Sequence, residues 1–438
     1  MTARRGGSGT TIDTPRSAGP AIETRRAVER AARDSYSRLV AFLAARSRDV
    51  AAAEDALADA FHSALETWPR TGVPDKPEAW LLVAARRRLI DAARHVRVHA
   101  DAVPTLLAAA DEAQELAGTD IAFPDERLKL LFICAHPAID AAARTPLMLQ
   151  VVLGLDAARI ASAFLVQPSA MGQRLTRAKA KIRDAGVAFE LPEAKELPSR
   201  LDAVLEAIYA AYGSGWDDVA GADPRRKGLA AEAIELGRLL VRLMPGDPEV
   251  QGLLALMLYC ESRRDARRGA TGSYVPLSEQ DMKRWSRPMI EEAERLLTAA
   301  KGADRIGRFQ LEAAIQSVHG RRAVTGRTDW EAIALLYEGL VGLAPTIGAL
   351  VGRSAAVAEA RDAATGWELL EAIPSEAVKS YQPYWALAAH LLKRMQRFEE
   401  AADAYIRAIG LCEDPAMREF LMQQAVQATC GPSIPGTG

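Results

Sequence analysis

The segment LDAARIASAFLVQPSAMGQRLTRAKAKIR, Leu155 to Arg183, decides how this chain folds. Ala157 to Phe164 reads as a short helix presenting Ile160, Ala161 and Phe164, and Leu165 to Pro168 reads as a turn. Pro168 and Ser169 open a second helix, with Ser169 expected at the N-cap. On that helix Met171, Leu175, Ala178 and Ile182 fall within about 60° of one another at about 100° per residue, which makes them a core seam. From Arg174 to Arg183 there are five basic residues and no acidic one. A short helix, a tight turn and a basic helix form the geometry that enters a DNA major groove. Residues early in such a helix reach base edges, here Ser169, Ala170, Gln173 and Arg174. Arg177, Lys179 and Lys181 are placed for phosphates, which position a protein on DNA without reading sequence. An ordinary antiparallel helix pair is the alternative reading.

Upstream, Ala51 to Trp68 reads as an amphipathic helix. Leu57, Phe61, Ala64, Leu65 and Trp68 form its apolar stripe. Asp55, Asp59, His62 and Glu66 recur at the same intervals on another face. That stripe is either a solvated surface or a docking face for a basic protein partner. Asp75-x-x-Glu78 has the form of a capping box and opens the next helix, Pro77 to Arg97. Trp80, Arg86, Arg87, Arg94 and Arg97 share one side of it, and Leu81, Leu82, Val83, Ala85, Leu89, Ala92 and Ala93 occupy the other. Arginines beside an aromatic are either the chemistry that neutralises phosphates and stacks unpaired bases or a solvated Arg face with a core Trp.

Further out, the 438 residues carry 55 Lys plus Arg against 57 Asp plus Glu, a net charge of −2, with 49% hydrophobic residues. That balance is ordinary for a globular protein and makes no global case for nucleic-acid binding, although it is silent on local patches. Aromatics at 6% and abundant alanine favour packed helices over sheets, so the fold class is all-α. Four scattered cysteines without a CxxC pair exclude a disulfide framework and fit a reducing cytoplasm. No apolar run is long enough to span a membrane. Residues 1–24 and 431–438 read as disordered tails, 25–97 and 125–190 as two small helical units joined by a linker at 98–124, and 198–430 as a long helical array.

In that array, Glu232 to Glu249 places Ala233, Leu240 and Pro245 at the small, core and terminating positions of a tetratricopeptide repeat. Trp385, Ala389, Ala401, Tyr405 and Ala408 reproduce more of one repeat, and Glu331 to Pro345 is a looser copy. Stacked helix pairs of this kind leave a concave face, either a bare scaffold or a surface for a protein partner.

Taken in order, AEDALADAF (Ala53 to Phe61), PEAWLLVAARRRLIDAAR (Pro77 to Arg94), DERLKLLFICAHPAI (Asp125 to Ile139) and AFLVQPSAMGQRLTRAKAKIR (Ala163 to Arg183) resemble successive stretches of bacterial RNA polymerase sigma factors. The likeness is to the extracytoplasmic-function (ECF) type of the sigma-70 superfamily. LSEQDMKRWSRPMI (Leu277 to Ile290), FQLEAAIQSVH (Phe309 to His319) and TDWEAIALLYEGL (Thr328 to Leu340) resemble its branch with a tetratricopeptide-like C-terminal extension. The resemblance implies a DNA-binding initiation factor rather than an enzyme, with core RNA polymerase and promoter DNA as partners. Asp55 and Asp59 would dock the polymerase β′ clamp. Trp80, Arg86, Arg87, Arg88 and Arg94 would contact and melt the −10 element. Gln173, Arg174 and Arg177 would read the −35 element, and the second unit would also meet the β flap. The linker would lie near the RNA exit path. Three departures stand out: Ala135 before His136-Pro137, Gly172 inside the basic helix, and the loop Gly213-Ser214-Gly215-Trp216. A protein-interaction scaffold with a non-initiating helix-turn-helix is the rival reading.

No phosphate loop, dinucleotide fingerprint, HExxH or GxSxG is present, so no catalytic residue, cofactor or metal is expected. Cys134 and His136 read as a structural cysteine and a capping histidine. Gln310 and His319 read as a buried hydrogen-bond pair.

Overall fold

A computed structural model describes residues 19–95, 125–164, 166–193, 195–217, 228–303 and 305–429. The chain is all-α, with nineteen α-helices and no strand among the described residues. It divides into two compact units, with the division after Val204.

The N-terminal unit begins with α1 (Pro20–Ser47), α2 (Val50–Thr71) and α3 (Pro77–His95). α1 starts earlier than the expected tail boundary at residue 24. Pro20 sits at its first position, where a missing N–H costs nothing, and Thr24 is already buried. Arg48, in a left-handed conformation at φ 57°, turns the chain between α1 and α2. Asp49 then caps α2 by accepting from the Ala52 N–H at 3.1 Å. α2 ends where Gly72 takes φ 86°.

The buried face of α2 runs through Ala53, Ala56, Leu57, Ala60, Ala64 and Trp68. Leu65, expected in the stripe, is 45% exposed. The reason is that small alanines let α1 and α3 approach along a narrow seam, and Leu65 lies one position outside it. Leu39, Phe42 and Leu43 of α1 and Leu81, Leu82, Ala85 and Leu89 of α3 complete this core.

Four further helices follow: α4 (Arg127–Cys134), α5 (Ala141–Val151), α6 (Ala157–Ala163) and α7 (Pro168–Asp184). Asp140 and Asp156 cap α5 and α6 through backbone N–H groups at 2.8 and 3.0 Å. The α6–turn–α7 element is present with its expected seam, since Met171, Leu175, Ala178 and Ile182 are all buried. Two details differ. Gln167, not Ser169, is the N-cap of α7, because Pro168 takes the first helical position and leaves Ser169 inside the first turn. Phe164 is 37% exposed, whereas Ile160 and Ala161 are buried. Within this unit the first three helices and the next four are not merely tethered, for α1 packs against α4 and α5, and α2 against α7.

The compact-unit division falls inside α8 (Leu197–Asp217). The C-terminal unit then continues through α9 (Leu229–Leu243), α10 (Pro248–Glu261), α11 (Arg287–Ala300), α12 (Arg308–Thr325), α13 (Trp330–Leu343), α14 (Ile347–Ala360), α15 (Ala363–Glu371), α16 (Ser375–Val378), α17 (Gln382–Arg394), α18 (Phe398–Leu411) and α19 (Pro415–Thr429). Successive helices pack on one another, and residues 262–286 form a strap of three 3₁₀ turns between α10 and α11. Ala233, Leu240, Ala389, Ala401, Tyr405 and Ala408 are buried at helix crossings, as their spacing predicts. The crossings are close. A Cβ at Gly252 would lie 2.6 Å from the Gln310 nitrogen, so only glycine fits there.

Candidate nucleic-acid and protein-docking surfaces

Asp55, Asp59, His62 and Glu66 all stand exposed along α2, away from its alanine seam. His62 Nδ1 lies 3.7 Å from Glu66 Oε1. Their neighbour Glu54 points elsewhere. Its Oε2 accepts from Lys179 Nζ of α7 at 2.5 Å, and both side chains are only 15% exposed. Burial raises the Glu54 pKa, with Lys179 pulling the other way. The same contact holds Arg183 Nη1 at 3.8 Å from Asp49 Oδ2. Arg46 of α1 and Glu126, just before α4, meet at 3.7 Å. Lys179, expected at phosphates, is thus an ion-pair partner between α2 and α7. It sits four residues after buried Leu175, on the edge of the seam rather than opposite it.

On α3, Arg87 and Arg88 are exposed, and neither forms an ion pair with a described residue. Arg86 is different: it is 2% exposed. α3 packs on both α1 and α2, so its buried arc is wider than one partner helix would require, and that arc takes in Arg86. Trp80 is half-buried and meets Trp68 edge-on, with ring centroids 5.4 Å apart. Glu78, expected to close a capping box, accepts from Ser35 Oγ at 3.3 Å. The Arg94 side chain and Arg97 lie outside the described residues, as does the linker 98–124.

On α7, Ser169, Ala170, Gln173, Arg177 and Lys181 are exposed, and Arg174 is half-buried. Arg174, Arg177 and Lys181 form no ion pair among the described residues. They line an open groove of about 440 Å³ whose far wall is Ile139, Asp140, Ala142 and Ala143. The Asp140 carboxylate there caps α5. The groove is therefore positively charged on one wall, and the other is apolar apart from the Asp140 carboxylate.

Cys134 is fully buried, and burial, with Glu54 nearby, pushes its thiol pKa well up. His136 Nδ1 accepts from the Ala138 N–H at 3.1 Å, the capping role expected of it. Burial and Arg200 lower its pKa, which keeps that nitrogen available as an acceptor. Gln310 and His319 do not pair. Gln310 Nε2 donates to the Arg305 carbonyl at 3.0 Å and to Glu249 Oε1 at 3.3 Å. His319 packs edge-on to Trp330 at 5.4 Å. Glu249 was not singled out by the sequence, yet its carboxylate accepts from the Phe309 and Gln310 N–H groups and so caps α12. The two residues lie 61 apart in sequence, so no local pattern announces the bond. No group of three His, Cys, Asp or Glu side chains is placed to hold a metal ion among the described residues. No described helix is long and apolar enough to cross a membrane.

Residues 32–98 match the sigma-70 region 2 family, and residues 200–301 match a family of unknown function (DUF6596). An uncharacterized protein of Rhizobium meliloti (strain 1021) is 38% identical over 383 residues, covering 86% of this chain and 90% of that protein. No solved structure matches.

Proposed function

We propose that this chain, which belongs to the sigma-70 family by its region 2 and to one family with the Rhizobium meliloti protein along most of its length, is an initiation factor of the ECF type with a helical regulatory extension. A sigma-70 region 2 serves core RNA polymerase binding and promoter recognition. One observation carries the finer reading. The region 2 match covers most of α1 and all of α2, and these helices with α3 present an exposed acidic face and an exposed Arg87–Arg88 pair.

In this reading Asp55, Asp59, His62 and Glu66 dock the β′ clamp, and Trp80 with Arg87, Arg88, Arg94 and Arg97 engages the −10 element. Arg86 supports α3 from within until the helix moves. Ser169, Ala170, Gln173, Arg174 and Arg177 reach the −35 element, with Lys181 on phosphate and the α5–α7 groove toward the β flap. Lys179 becomes available for phosphate only when it leaves Glu54. Elements about 25 base pairs apart lie roughly 85 Å apart at about 3.4 Å per base pair, far beyond the reach of two helices in side-chain contact. The packed arrangement of α2 on α7 is therefore the unbound form, and polymerase or DNA must part it. The C-terminal helix pairs resemble tetratricopeptide repeats and would modulate that step through a protein partner.

Co-elution with core polymerase tests the docking face. The chain is expected to co-elute, and reversing two charges, Asp55→Arg with Asp59→Arg, is expected to abolish it. Unchanged co-elution of the folded double variant would place the polymerase contact elsewhere.

A further inference from the structure

The C-terminal unit carries a half-open cavity of about 550 Å³ that no residue of the proposed initiation surfaces touches. Its walls are Trp285 at the end of the strap, His319 and Arg322 of α12, Arg327 in the turn after α12, and Trp330 at the start of α13. The size is that of a small-molecule site, for which about 300–1,000 Å³ is usual.

Several arginines of this unit are held by carboxylates, Arg238 by Glu292, Arg308 by Glu312 and Arg268 by Asp414. Arg322 instead donates to the backbone carbonyls of Leu277, at 2.8 Å, and Ser278, which fixes its position and leaves its charge uncompensated. Arg327 forms no ion pair among the described residues. The one carboxylate in the lining, Glu359, is already engaged by Arg394, with His390 Nε2 4.0 Å away. The cavity therefore carries net positive charge.

Its walls are also aromatic and short of acceptors. Trp285 is 7% exposed, and its buried indole N–H has no hydrogen-bond partner among the described residues. His319 stands edge-on to Trp330 and is pushed down to about 4 by burial and by Arg263 and Arg322, so near neutral pH it is an uncharged ring. It adds an aromatic surface and no charge.

We propose that this cavity is a binding site for a small aromatic organic anion, with a carboxylate set against Arg322 and Arg327 and a flat apolar body against Trp330. Two unpaired guanidiniums select the anion, and the tryptophans select a planar body over a bare inorganic ion. The site lies within the unit that would modulate initiation, yet its occupancy is read without polymerase or DNA.

The experiment titrates the full-length chain with 2-naphthoate, uncharged 2-naphthamide and inorganic phosphate, followed by calorimetry and tryptophan fluorescence. Naphthoate is expected to bind one per chain, at least tenfold tighter than either comparator. Arg327→Ala, at an exposed position, should weaken naphthoate at least tenfold and leave naphthamide unchanged. Trp330→Leu should weaken both aromatic compounds. Equal affinity for acid and amide, phosphate as tight as naphthoate, naphthoate binding that survives Arg327→Ala, or no naphthoate binding at millimolar concentration would each overturn the proposal.

Discussion

The cations of the two compact units are used differently. In the C-terminal unit several arginines staple separate elements together, as with Arg238 to Glu292, Arg308 to Glu206 and Arg268 to Asp414. In the N-terminal unit Arg87, Arg88, Arg174, Arg177 and Lys181 stand on helix surfaces without a carboxylate among the described residues. Three of the paired cations there, Arg46, Lys179 and Arg183, lie where the first three helices meet the next four. An arginine in an ion pair organises its own chain. One left in water does nothing for the fold and is available to a polyanion. The near-zero net charge averages these two populations and conceals both.

The largest expected effect breaks the unpaired set. Arg174→Ala with Arg177→Ala should lower promoter-DNA affinity by about two to three orders of magnitude, at about 1–3 kcal/mol per contact, and flatten the salt dependence by about one unit per lost phosphate contact. The thermal midpoint should not move, because neither side chain is paired. Affinity measured across a salt series, beside a melting curve, checks both statements.

Next is the ion pair that joins α2 to α7. Glu54→Ala leaves Lys179 partly buried without a counter-charge. A fully buried pair broken this way costs about 3–5 kcal/mol, and with some exposure retained here the cost should be about 2 kcal/mol in urea unfolding. Adding Lys179→Met should recover most of it. A double-mutant cycle with no coupling would show that the contact is not populated in solution.

Arg268→Ala removes a staple between the strap and the Asp414 cap of α19. Both partners keep some exposure, so the loss should be about 1 kcal/mol, with no change in DNA affinity. A DNA-binding defect would contradict the division of roles drawn above.

The smallest effect is in acid. Burial alone would raise the Asp125 pKa, but hydrogen bonds from Arg127, at 2.6 Å to Nη2, hold it below the usual carboxylate range. Its contribution is present above the unfolded value of about 3.9 and is lost as pH falls through the lower folded value. Asp125→Asn should therefore destabilise the chain at neutral pH and flatten the acid limb of a stability–pH profile.

How far the sequence could be read follows from range. The α7 seam is a local periodicity that folds as its spacing predicts, and the amphipathic face of α2 does so apart from Leu65 and the half-buried Phe61. His136 capping its own turn is local as well. The burial of Arg86 is not legible on a helical wheel, which gives direction but not the width of the buried arc, and that width depends on how many helices α3 packs against. Lys179 and Glu54 are separated by 125 residues, and Glu249 reaches 61 residues to cap α12. The cavity draws its wall from the strap, α12, α13, α14 and α17, so no single segment carries its signature.

The most direct test of the central claim is run-off transcription. Purified chain and core polymerase are supplied with a promoter found by selection, and the transcript is compared with that of the Arg174→Ala, Arg177→Ala variant. A discrete start site that appears only with the chain, and weakens in the variant, is the predicted result. Absence of promoter-dependent initiation, both with the full chain and after removal of residues 198–438, would contradict it.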